Sequence, residues 1–130
     1  MGNNFKLPTE WLKQAEYDMG TAISMFKTKR FIYAVFMCHL AIEKVIKGIY
    51  SKVIKKDPPK THDLVYLSEL TSLDLAEDLT KFLDSLNDLS ILTRYPDELE
   101  KIICQYSRER TKEIINQTKK LMQCLKEKLK

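Results

Sequence analysis

Apolar residues recur along this chain at intervals of three and four, and no run alternates with the two-residue period of a strand. Trp11, Ala15, Met19, Ala22 and Phe26 share one helical face. They predict a first helix to about Lys27, opening at Leu7-Pro8-Thr9-Glu10 with proline and an acid in its first turn. Residues 1–7 read as a loose tail, and Lys27-Thr28-Lys29-Arg30 as a short polar connection. From about Phe31 to Ile54 the stripe Phe31, Ala34, Val35, Cys38, Ile42, Val45, Ile49 is widened by Phe36, Leu40 and Ile46. A helix apolar nearly all round is buried on several sides, so this second helix is expected at the centre, with Gly48 marking a close backbone approach.

The prolines of Lys55-Lys56-Asp57-Pro58-Pro59-Lys60 end that helix. Thr61 then reads as the N-cap of a short helix carrying Leu64, Leu67 and Leu70. A fourth helix is expected from about Leu75 to Leu92, with Ala76, Leu79, Phe82, Leu83, Leu86 and Leu89 inward. Arg94-Tyr95-Pro96-Asp97 interrupts the pattern. A last helix follows from about Glu98, its stripe being Leu99, Ile102, Ile103, Tyr106, Ile114, Leu121 and Leu125. Four long helices and one short one, joined by short loops, predict an all-α, antiparallel up-and-down helical bundle forming a single domain over residues 1–130.

Composition sharpens this picture. Three glycines and four prolines in 130 residues leave little material for long loops. Cys38, Cys104 and Cys124 are odd in number and form no Cys-x-x-Cys pair, so a reducing, cytoplasmic setting is expected rather than a disulfide framework. No secretory signal opens the chain, and the longest apolar stretch, Phe31 to Ile42, is too short to span a bilayer. The net charge of +4 is unevenly spread. Residues 27–60 hold nine Lys/Arg and two acids, residues 74–100 eight acids and two bases, and residues 108–130 eight bases and three acids. Two basic segments thus flank an acidic one. Mutual attraction between helices explains such a pattern, and so does a basic patch for phosphate or nucleic acid.

Several pieces, in order, resemble the HEPN family of helical domains. Ala41-Ile42-Glu43-Lys44-Val45-Ile46-Lys47 matches an Ala-x-Glu-Lys-x-x-Lys signature, and Thr61-His62-Asp63-Leu64 matches the Thr-His-Asp-Leu segment that follows it. Ala15, Asp18 and Ala22 fit the first helix of that family, with Met19 where Leu is more usual, and Arg94-Tyr95-Pro96 looks like its Arg-Tyr-Pro before the last helix. The resemblance implies a helical bundle that commonly dimerises and a place in nucleotide or RNA biology. Many small members pair with a minimal nucleotidyltransferase in toxin–antitoxin-like pairs. Others are metal-independent ribonucleases using Arg-x(4–6)-His. Here no arginine has a histidine four to six residues after it: His39 and His62 precede Arg94, Arg108 and Arg110, and Arg30 lies too far before His39. The histidine that would move protons near neutral pH is missing from the motif.

His39, Glu43 and Lys47 fall on one helical face, as a polar site or as a structural ion pair with Glu43 four residues before Lys47. His62-Asp63, at a helix start, reads as a cap or as an anion site with Lys55, Lys56 and Lys60 close in sequence. Arg94 either meets a phosphate or clamps the acidic helix. The pairs Asp74/Asp78 and Asp84/Asp88 read as solvated charges. Two histidines and three scattered cysteines lack metal-ligand spacing, there is no glycine-rich phosphate loop, and no cofactor is implied. The expected function is a non-catalytic homodimer that partners a minimal nucleotidyltransferase and contacts nucleotide or RNA. Glu43, Lys44, Lys47, His62, Asp63, Arg94 and Tyr95 are its candidate binding residues. The alternatives are a ribonuclease toxin with a degenerate site and a purely structural assembly module.

Overall fold

The computed structural model describes residues 4–94 and 98–130. Among these residues there are six helices and no strand: α1 (Pro8–Lys27), α2 (Phe31–Ile54), α3 (Leu64–Leu70), α4 (Glu77–Arg94), α5 (Leu99–Gln105) and α6 (Arg108–Glu127). The protein is all-α, as the periodicity predicts. Helix α2 touches each of the other five. Its Ala34, Val35, Cys38, Ala41, Ile42, Val45 and Ile46 are fully inaccessible to water. At about 1.5–3 kcal/mol for each large aliphatic side chain buried, this helix contributes more to the core than any other. Gly48 marks the close approach its position predicts, since a Cβ there would stand 3.1 Å from Trp11 Cβ of α1.

Three local features differ from the sequence expectations. The tail before α1 is tied down where it is described: Lys6 N–H donates to Asp57 Oδ1 at 2.9 Å, Ser51 Oγ–H donates to the Lys6 carbonyl at 2.6 Å, and Lys6 Nζ lies 3.9 Å from the Trp11 ring centre. The N-cap of α3 is Asp63 rather than Thr61. Asp63 Oδ1 accepts from Val65 N–H at 3.1 Å and Tyr66 N–H at 3.2 Å, while Thr61 Oγ1 accepts from Asp63 N–H. A carboxylate is the stronger acceptor at the positive end of a helix.

The third difference is the largest. The expected last helix is broken between Gln105 and Arg108. Ser107 Oγ accepts from Arg110 N–H at 3.1 Å, and Arg110 Nη1–H donates to the Gln105 carbonyl at 2.8 Å. Serine competes poorly inside a helix and well at an N-cap, so the chain stops and restarts there. The restart turns α5 relative to α6. Leu99 and Ile103, expected inward, are exposed, whereas Ile102 and Tyr106 are buried. No helix among the described residues is long and apolar enough to cross a membrane.

Candidate functional site

The signature residues of α2 converge on one carboxylate. Glu43 is only 4% exposed. Lys47, one turn further along the helix, donates from Nζ to Glu43 Oε2 at 2.9 Å, which is the i, i+4 ion pair its spacing predicts. His62, arriving from the loop after α2, donates from Nδ1–H to Glu43 Oε1 at 2.9 Å. His39 Nε2–H donates to the His62 carbonyl at 2.9 Å, and its Nδ1 lies 3.8 Å from Glu43 Oε1. One helical face thus grips both the ring and the backbone of His62. The His62 side chain is 60% exposed on its far side.

Neighbouring signature residues are engaged in the same way. Lys44 reaches across to α1, where its Nζ lies 2.7 Å from Asp18 Oδ2. The amide groups at the start of α3 are occupied as well: Leu64 N–H donates to Asn87 Oδ1 of α4 at 2.8 Å, and Asn87 Nδ2–H donates to Asp63 Oδ1 at 3.2 Å. Glu43, Lys47 and His62 are therefore brought into one cluster, Lys44 and Asp63 lie in adjoining contacts, and each is bonded to another part of the chain. Arg94 ends α4, but its side chain lies outside the described residues, as does all of Tyr95. Among the described residues no group of three His, Cys, Asp or Glu side chains is arranged to hold a metal ion.

A second region gathers polar and aromatic groups that the sequence reading did not single out. Arg108 of α6 lies over the Phe26 ring of α1, with 5.2 Å from Cζ to the ring centre, and Phe26 in turn lies 5.6 Å from the Phe31 ring of α2. Arg110 lies 4.9 Å from the Tyr106 ring centre. Tyr106 joins Lys29, Arg30, Phe31, Ile32, Tyr33, Leu99 and Ile103 around a cleft of about 190 Å³. Burial pushes the Tyr106 phenol above its ordinary value, with Arg110 opposing that shift. Two turns further along α2, burial raises the Cys38 thiol to about 11, with Thr118 and Lys119 of α6 acting against it. Tyr106 is legible only as a core position of the last stripe, Asn87 and the α5–α6 break carry no periodic signal, and only Ser107 in a capping position points to the break.

Comparison with known proteins settles the family. The HEPN domain model matches residues 9–129 of the chain. The chain belongs to the HEPN family. No curated protein matches it. Two solved structures are similar to this HEPN chain. One is the crystal structure of TT1696 from Thermus thermophilus, with a TM-score of 0.79 and 26% identity, covering 94% of this chain and 98% of that one. The other, an archaeal HEPN homologue, has a TM-score of 0.75 and 20% identity over 96% and 99% of the two chains, and shows the shared fold. Within this HEPN domain the conspicuous signature lies at the α2–α3 junction, and the cleft lies beside the turn between α1 and α2.

Proposed function

We propose that this HEPN protein is a non-catalytic, cytoplasmic binding module. It acts as a homodimer that docks onto a minimal nucleotidyltransferase, with its basic residues contacting nucleotide or RNA. The observation that carries the non-catalytic reading is the Glu43 carboxylate, whose two oxygens are both bonded to side chains of its own chain. A carboxylate held by a buried lysine and an orienting histidine braces a loop; general acid–base work needs such a group to reach the proton it moves. The absence of an Arg-x(4–6)-His run in the sequence supports the same reading.

Support for docking comes from the end of α4, where the consecutive residues Ile91 and Leu92 are 62% and 45% exposed. Adjacent exposed aliphatics are apolar surface of the kind a partner covers. The family resemblance supplies the class of partner. Light scattering of the purified chain is expected to give twice the monomer mass, and Ile91→Glu to return it to a monomer. Mixing with a minimal nucleotidyltransferase is expected to give a larger complex. A monomeric chain that ignores the enzyme contradicts the proposal, and so does RNA cleavage that is lost in Arg94→Ala.

A further inference from the structure

The cleft between the start of α2 and α5 has the features of a small-ligand site. Its lining contains Phe31, Ile32, Tyr33, Leu99, Ile103 and Tyr106, together with Lys29 and Arg30 and, among the described residues, no acid. Lys29 and Arg30 are exposed and form no ion pair among the described residues. Tyr106 is 1% exposed, and its hydroxyl is closed off from water with no hydrogen-bond partner among the described residues. Buried polar groups are nearly always bonded, so this hydroxyl, sealed inside the cleft wall, is an exception. Lys29 also holds a left-handed backbone, φ 63°, that glycine adopts at less cost.

We propose that this cleft binds a small aromatic anion, with one planar ring seated between α2 and α5 and its carboxylate or phosphate on Lys29 and Arg30. Size and charge select this occupant. A cavity of about 150 Å³ holds one benzene ring, and this cleft measures about 190 Å³. It is too small for a helix and well suited to a single ring. Phe31, Tyr33 and Tyr106 offer faces or edges to that ring. A guanidinium recognises carboxylate or phosphate through paired N–H bonds. This site is independent of the docking reading, which concerns Ile91 and Leu92.

Calorimetric titration of the full chain at low ionic strength tests the proposal. Phenyl phosphate is expected to bind at least tenfold more tightly than inorganic phosphate or phenol, because only it fills both halves of the site. The exposed-residue variant Lys29→Gly, alone and combined with Arg30→Gln, is expected to lose that preference while its circular dichroism stays helical. Ile103→Asp, also at an exposed position, is expected to weaken phenyl phosphate without strengthening inorganic phosphate. Two further ligands separate the natural sources of the same chemistry. Tighter binding of adenosine monophosphate than of benzoate indicates a mononucleotide, and the reverse order indicates an aromatic acid. Equal binding of phenyl phosphate and inorganic phosphate overturns the proposal, as does unchanged affinity in the double variant.

Discussion

Around Glu43 a recognisable motif spends its polar groups inside the chain, whereas at the start of α2 two cations and a phenol border an open apolar cleft without any motif to announce them. Both regions border the same helix, and both are built from ordinary contacts between helices. They differ in where the charge is answered. Glu43 is buried, so the chain must supply its counter-charge, and Lys47 and His62 do so. Lys29 and Arg30 are exposed, so water or a ligand can answer them. A family signature thus records the requirement of a buried charge, while binding chemistry is free to sit where the fold makes no such demand.

The comparison is broken most directly by removing the buried charge. Glu43→Ala leaves Lys47 in the core without a partner and is expected to cost about 3–5 kcal/mol, seen as a lower urea midpoint with an unchanged slope. A loss below about 1 kcal/mol would mean that the cluster does not brace the α2–α3 junction.

The α2–α6 seam gives a pH-dependent test. The folded Cys38 thiol is raised to about 11, above its ordinary value of 9.0, so the folded state holds its proton more tightly than the unfolded state. The associated stability is complete below about pH 9 and is lost as pH rises towards about 11, amounting to roughly 2–3 kcal/mol. Urea midpoints at pH 8 and pH 10.5 are expected to fall less far apart in Cys38→Ala than in the parent chain; equal falls contradict the assignment.

Smaller effects sharpen the contrast. Asp63→Ala removes the α3 cap and the acceptor for Asn87, and is expected to cost about 1 kcal/mol in thermal unfolding. Lys29→Gly relieves a left-handed lysine and is expected to stabilise by roughly 0.5–1 kcal/mol. At the first region substitution harms the fold. At the second it improves the fold, while the cleft loses a cation.

The sequence made the helices legible because their cores are strongly periodic, and it made the Glu43–Lys47 pair legible because a four-residue spacing forces two side chains together. Periodicity says nothing about contacts between distant segments. Asn87 lies on a polar side of α4, and nothing in its neighbourhood signals that it braces Leu64 N–H. The rotation of α5 was hidden for a related reason: Leu99 and Ile103 fit the stripe of one continuous helix, and only the cap formed by Ser107 turns them outward. That rotation creates the cleft, so the candidate ligand site was the least legible part of the molecule.

A single titration of the ¹⁵N-labelled chain with phenyl phosphate, followed by NMR at backbone amides and histidine rings, compares the two regions directly. An internally satisfied brace and an open cleft predict shifts at residues 29–33 and 99–106, with the His62 ring unmoved. Shifts at His62 and Asp63 with a silent cleft would contradict the account and return the binding chemistry to the α2–α3 junction.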